Sequence, residues 1–450
     1  MKYLHNNLLP LAIVLLASCS NYLDVKPDKK LTIPNTTSDL MALMQDVQTM
    51  NYDYSVGLGE IGSDDIFLPY SNWASIASIE NRSVYIWEKH PVYANYWTNG
   101  YERILNSNTV VDFLDDVIQD RDVDRNWLLG TALFFRGYAF YDLAQVFSPA
   151  FNSETADSDT GIVLRLNSDV NVPSKRASVR QTYDQVIRDL QSSAALLPEM
   201  RQQYPTQPTK AAAYGALARC FLAMQQYVEA GKYADSCLRL HNELLDFNEI
   251  EQKPYAFNRF NQEVVFFSQL TGYGILTESR ARVDTNLYAS YSEYDLRKGL
   301  FFRMNNDGYA SFSGNYAEST NVPKFNGITS AEMMLTRAEA SAREGDVESA
   351  LRDLNDFMRY RYEASWFEEV TESDMDRLLD MILLERRKEL VCRGIRWQDI
   401  RRMSGDKNRV ITLQRTLDGT IYTLTPTQLS RFAYQLPQVV IDRSDLEQNK

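Results

Sequence analysis

The feature that most restricts the fold is a helical hairpin written twice. In TKAAAYGALARCFLAMQQYVEAGKYADSCLRL (209–240), Tyr214, Leu217, Ala218 and Phe221 fall on one helical face, and Ala230, Ala234 and Cys237 share a second face after a tight turn. Small residues at Ala218 and Ala230 let two such helices come close. SAEMMLTRAEASAREGDVESALRDLNDFMRYR (330–361) repeats the pattern, with Met334 and Ala338 before a Gly345-Asp346 turn and Ala350 and Leu354 after it. A third unit of the same kind is expected between Ala132 and Leu197. One hairpin cannot bury its apolar face alone, so units of about 34 residues must stack on one another.

These units resemble tetratricopeptide hairpins, and they are placed at about 132–240 and 330–362. Other stretches carry the same 3.6-residue period: Leu40, Leu43, Met44 and Val47; then Trp97, Tyr101, Ile104, Leu105 and Asn108. Asp124 is placed to cap a helix through Trp127, Leu128 and Phe135, and Ser178 one that runs to a stop at Pro198. Ser373 to Asp376 predicts a capping box opening a helix through Leu378, Ile382 and Leu390. The fold class is therefore mainly α. Two regions, 52–96 and 245–325, break the pattern and are rich in Gly, Asn, Ser and aromatic residues; they are expected to form loops with a little β structure. Glu263 to Phe267 reads as a strand, and Leu300–Met304 and Tyr309–Phe312 flank an Asn-Asp-Gly turn as a hairpin would.

At the N-terminus, Lys2 precedes an apolar run, Leu8 to Ala17, that is too short to span a bilayer. Leu16-Ala17-Ser18-Cys19 resembles a bacterial lipobox, so residues 1–18 are expected to be a signal peptide, Cys19 the lipidated residue and 19–34 a tether. The folded domain is placed at 35–450. Four cysteines are too few for a disulfide scaffold; Cys220, Cys237 and Cys392 read as small core residues, with a Cys220–Cys237 bridge the alternative in an oxidising compartment. A formal charge of −13 argues against nucleic acid or an anionic surface as the main partner.

Catalytic material is sparse. Only three histidines exist, His5, His90 and His241, which leaves almost nothing for zinc sites or Ser-His-Asp triads. Asp120-Arg121-Asp122-Val123-Asp124 starts like a calcium loop, but Arg125 stands where the turn needs Gly and Thr131 where the bidentate Glu belongs. Asp157-Ser158-Asp159-Thr160-Gly161 is a second acidic turn, and a structural calcium is the one metal considered at either; no cofactor is expected. Asp64-Asp65 could be half of a glycosidase pair, yet nothing fixes a second carboxylate at the required separation. Glu385 to Glu389 (ERRKE) reads as an ion-paired helix face. Binding without chemistry is the expected activity.

Eight stretches, in order, carry a further resemblance: CSNYLD (19–24); Trp97, Tyr101, Ile104 and Asn108; LFFRGYAFYDLAQVF (133–147); RASVRQTYDQVIRDLQSSAALLP (176–198); TKAAAYGALARCFLAM (209–224); YSEYDLRKGLFF (291–302); MILLERRKELVCRGIRWQDIRR (381–402); and RFAYQLPQ (431–438). Together they resemble the SusD/RagB family of surface lipoproteins. Arg393 departs from the family's usual Glu before Gly394, and Phe147-Ser148-Pro149 replaces its Phe-Gly-x-x-Pro loop. The resemblance implies an outer-membrane, lipid-anchored nutrient-binding protein that serves a SusC-like TonB-dependent transporter, taking oligosaccharides in most members and peptides in some. A surface glycosidase and a pure protein-docking scaffold are the competing classes. Candidate ligand contacts are Asp64, Asp65, Tyr70, Asn72 and Trp73 in the first loop region and Tyr273, Tyr288 and Tyr291 in the second. Trp73 leads, because Ser71 and Asn72 give it a polar rim, whereas the period of Trp97 marks it as core.

Overall fold

The computed structural model describes residues 34–449 apart from Arg201, Pro254, Gly272, Tyr273, residues 319–322 and Lys407. The expectations for the signal, the Cys19 anchor, the tether up to residue 33 and Tyr273 lie outside the described residues. Helices dominate: α1 (Thr37–Gln45), α2 (Asn95–Phe113), α3 (Arg125–Phe147), α4 (Val179–Leu196), α5 (Lys210–Ala223), α6 (Tyr227–Leu240), α7 (Ser330–Glu344), α8 (Val347–Arg359), α9 (Met375–Glu389) and α10 (Arg396–Met403).

Their ends follow local chemistry. Asp124 accepts from the Asn126 amide at 2.8 Å, and Ser178 and Gln181 cap each other reciprocally. At α7 the chain turns on Gly345, whose φ of 87° suits a residue without Cβ, and Asp346 then caps α8. Asp374 caps α9 alone, accepting from the Arg377 amide at 3.0 Å. The expected capping box is absent because its reciprocating position is occupied by Arg377; Asp376 instead pairs with Arg409 at 3.0 Å.

From α2 to α8 each helix packs on the next in the chain, and α9 lies against α7 and α8. The array begins at Asn95, upstream of the expected boundary at 132. Trp97 is buried in it, its ring 4.7 Å from Tyr101 and 5.1 Å from Phe147. Ala218 and Ala230 are fully buried, and a close approach of α6 to α7 also uses Gly231, where an added Cβ would sit 2.7 Å from the Ala340 Cβ. Cys220, Cys237 and Cys392 are buried free thiols, so the Cys220–Cys237 bridge is not formed.

Arginine–carboxylate pairs fix the register of this stack. Arg136 on α3 meets Asp189 on α4 at 2.8 and 2.6 Å, Arg219 on α5 meets Glu332 on α7 at 2.6 and 2.5 Å, and Arg402 on α10 meets Glu339 on α7 at 2.6 and 2.8 Å. All six side chains are buried. Two parallel hydrogen bonds form only at one helix offset, which makes such pairs devices of specificity as much as of stability.

The two loop regions hold more structure than expected. Short helices form at Gly57–Gly62, Tyr70–Ala74 and Ile79–Tyr85, and Ile66–Phe67 pairs antiparallel with Arg282–Val283, joining the two regions. The expected strand is Val264–Phe266, paired with Ile328–Thr329. The expected hairpin pairs Phe302–Met304 with Ala310–Phe312, shorter than predicted because Arg297–Phe301 is helical. Leu413–Leu417 and Thr420–Leu424 form a second hairpin about Asp418-Gly419, both at positive φ, a turn signal present in the sequence that was not anticipated.

Candidate functional site

The loop leading to Trp73 is anchored before it is shaped. Asp64 receives Arg396 through two hydrogen bonds of 2.6 and 2.9 Å, and Asp65 receives Arg387 at 2.9 Å. Arg387 also donates to the Asp64 carbonyl at 2.8 Å. Burial would raise the Asp64 carboxyl, but Arg396 and Arg387 outweigh it and hold it below the usual carboxylate range. Asp65 is 1% exposed, and burial pushes its carboxyl up to about 6 despite Arg387 and Arg396. These two carboxylates clamp the loop to the C-terminal helices; Asp65 is buried, whereas the Asp64 side chain stays 26% exposed beside Arg396. The partners come from the ERRKE and GIRW stretches. The ERRKE run is ion-paired as expected but buried: Glu385, Arg386, Lys388 and Glu389 are each at most 5% exposed.

Beyond the clamp, Ile66–Phe67 carries the chain to Pro69, and the helix Tyr70–Ala74 follows. Tyr70 is 47% exposed and its ring stacks on that of Trp73, centroids 6.2 Å apart and planes 30° apart. Trp73 is half-buried; its indole N–H donates to the Arg82 carbonyl at 3.3 Å, and the Arg82 guanidinium lies 5.6 Å from the ring centre. The Asn72 amide nitrogen donates to the Arg280 carbonyl at 2.9 Å, stapling this helix to the second loop region. Phe67 meets Tyr309 edge to face at 5.0 Å, and Arg282 pairs with Asp307 at 2.8 Å, which seats the tip of the 302–312 hairpin beside the same strand pair. Tyr309 is 41% exposed.

Tyr70, Asn72 and Trp73 are therefore brought together, as the sequence suggests. Tyr291 is not a surface contact: it is fully buried, and its hydroxyl donates to the Lys388 carbonyl at 2.7 Å. Tyr288 is half-buried, its ring against Phe302 at 5.5 Å and under the Lys298 ammonium at 5.3 Å. Tyr309, exposed beside the same strand pair, was not among the candidate contacts, although an aromatic placed directly after an Asn-Asp-Gly turn is a loop-tip signal. In the first acidic turn Asp120 accepts from the Thr37 hydroxyl at 3.0 Å and Asp124 from the Asn126 amide at 2.8 Å; in the second Asp159 accepts from the Thr155 hydroxyl at 2.5 Å and Asp157 lies 3.5 Å from Arg180. Among the described residues no group of three or more His, Cys, Asp or Glu side chains is placed to share a metal ion.

Two family models match the chain: one described as starch-binding associating with outer membrane over residues 21–222, and one described as the SusD family over residues 200–443. The chain belongs to the SusD family. No curated protein matches it. Solved SusD-like folds superpose over nearly its whole length. A putative sugar-binding protein from Bacteroides vulgatus has 20% identity and a TM-score of 0.76, covering 93% of this chain and 99% of its own. A SusD superfamily protein from Bacteroides thetaiotaomicron has 21% identity and the same TM-score of 0.76, covering 92% and 100%. A laminarin-binding SusD-like protein has 17% identity and a TM-score of 0.67, covering 92% and 99%. At these identities the likeness establishes the SusD-like fold. No helix among the described residues is long and apolar enough to cross a membrane.

Proposed function

We propose that this SusD-family chain is a cell-surface lipoprotein that captures an oligosaccharide on the Tyr70–Trp73 platform and delivers it to a SusC-like TonB-dependent outer-membrane transporter. The observation that carries the reading is the platform itself: two near-parallel rings, one of them 47% exposed, on a short helix that Asn72 fastens to the neighbouring loop. A sugar ring has an apolar C–H face and a rim of hydroxyls, so a flat aromatic face covers the first and adjacent polar groups take the second. The family description, starch-binding associating with outer membrane, supports the same ligand class and location, as do the sugar-binding and laminarin-binding relatives. The apolar run that ends at Cys19 supports the lipid anchor, and stacked helical pairs offer an extended surface for the transporter. Binding is favoured over hydrolysis because Asp64 and Asp65 are tied to Arg396 and Arg387.

Glycan arrays with peptide libraries alongside, and affinity capture from solubilised outer membrane, test this reading. Saturable binding of neutral oligosaccharides and recovery of a large β-barrel partner are expected. Peptide binding alone would replace the ligand class, and a partner complex that binds neither would leave a docking scaffold.

A further inference from the structure

Of the six tryptophans, Trp87, Trp97 and Trp397 are buried, Trp73 and Trp127 are half-buried, and Trp366 alone is mostly exposed, at 58%. It sits in the segment between α8 and α9, and its ring lies on Tyr294 with centroids 4.4 Å apart and planes 15° apart. With one face covered by Tyr294, the indole turns the other to water. The segment is held firmly. The Glu363 amide donates to the Tyr294 carbonyl at 3.0 Å, the Ala364 amide to Asn248 Oδ1 at 3.0 Å, and the Trp366 amide to the Glu363 carbonyl at 2.9 Å.

We propose that Trp366 and Tyr294 form a second sugar platform, separate from Tyr70–Trp73, which takes another part of the same neutral polysaccharide chain; the proposal rests on the carbohydrate reading of the Trp73 site. A solvent-facing indole forgoes burial that a Trp ordinarily gains, and the stacked Tyr holds it flat and ready. Its surroundings select the occupant. Ala364, Ser365 and Glu368 are exposed beside it in sequence, Glu369 is exposed but paired with Arg359 at 2.9 Å, and Glu293 is exposed next to Tyr294. A single ring among small and acidic residues falls short of the several hundred Å² of apolar surface that a protein partner covers. Carboxylates repel anionic polymers but accept hydrogen bonds from hydroxyls, and one pyranose ring matches one indole face.

The spacing of the two platforms is also fixed. Adjacent residues on α9 fasten both: Arg387 holds Asp65 on the way to Trp73, while the Lys388 ammonium holds the Tyr362 hydroxyl at 2.7 Å and Asp295 at 2.6 Å, the flanks of Trp366 and Tyr294. A chain long enough to reach both rings binds the second as an intramolecular step, so avidity grows with polymer length.

The test is calorimetric titration of the full-length protein in detergent with laminarin, starch, pullulan and xyloglucan, and with short oligosaccharides of whichever polymer binds. Trp366→Ala is expected to weaken polymer binding about tenfold, to abolish the binding left in Trp73→Ala, and to leave the unfolding midpoint unchanged. Trp366→Phe, which keeps a flat ring, is expected to retain most of it. Polymer binding unaltered by Trp366→Ala in both backgrounds overturns the proposal, and so does a loss confined to transporter capture. An effect of Trp366→Ala without one of Trp73→Ala would overturn the two-platform proposal together with the Trp73 reading, leaving Trp366 as a lone sugar site. Failure of the wild-type protein to bind any of the polymers would remove both.

Discussion

Arg396 and Asp64 lie 332 positions apart in the chain and meet through two hydrogen bonds of 2.6 and 2.9 Å. The pair closes the ligand loop onto the C-terminal helices, and removing the guanidinium leaves two buried or part-buried carboxylates competing for Arg387 alone. Arg396→Ala is expected to cost about 3 to 5 kcal/mol of stability, and Arg396→Lys, which keeps the charge but not the two-pronged fit, to cost less. Urea denaturation of the three proteins measures this. Equal midpoints would mean that the clamp contributes nothing.

Glu60 gives a pH dependence of unusual sign. Its carboxyl is fully buried and accepts from the Gly394 amide at 2.8 Å; burial first, and the Asp65 carboxylate second, push it up to about 8. The folded protein therefore keeps a proton that the unfolded chain has lost, and the associated stability is present below about pH 4.5 and disappears as pH rises through 8. Glu60→Gln, neutral at every pH, is expected to flatten the fall in melting temperature between pH 5 and roughly 9 and to exceed wild type at the upper end. Parallel profiles for the wild-type and Glu60→Gln proteins would show that Glu60 does not titrate in this range.

At the α6–α7 crossing, a Cβ added at Gly231 would lie 2.7 Å from the Ala340 Cβ. Gly231→Ala is expected to force the helices apart and cost about 1 to 3 kcal/mol, more than the gain in helix propensity returns. A thermal melt at or above the wild-type midpoint would show that the crossing can relax freely.

The helical array was legible in the sequence because its signals are local. The period of the Ala218 and Ala230 faces, the Asp124 and Ser178 caps and the Gly345 turn each follow from a few neighbouring residues, and the structure carries all of them. The site was legible only where neighbours in sequence are also neighbours in space, as with Tyr70, Asn72 and Trp73. Asp64 and Asp65 look like surface carboxylates until Arg387 and Arg396 arrive from more than 300 positions away, and Tyr291 looks like a loop aromatic until the Lys388 carbonyl takes its hydroxyl. The ERRKE run is ion-paired as its sequence suggests, but its burial was not legible for the same reason: its partners Asp65, Asp295 and Arg361 lie on distant segments that cover it.

Anchorage is tested separately from binding. Cys19→Ala is expected to release the protein from the membrane fraction and to end its metabolic labelling with fatty acid, since a bacterial lipoprotein is held by its acyl chains. Wild-type protein recovered soluble with an unlabelled Cys19 would contradict it.

The most direct measurement of the central claim is calorimetric titration of wild-type, Trp73→Ala and Trp97→Ala proteins with the neutral oligosaccharide that a glycan array selects, each paired with a thermal melt. Trp73 is half-buried beside the exposed Tyr70, whereas Trp97 is 6% exposed and packed on Tyr101 and Phe147. Trp73→Ala is predicted to weaken binding by about 1 to 3 kcal/mol with a nearly unchanged midpoint, and Trp97→Ala to destabilise the fold by about 3 to 5 kcal/mol. A Trp73→Ala protein that binds the oligosaccharide as tightly as wild type would contradict the account.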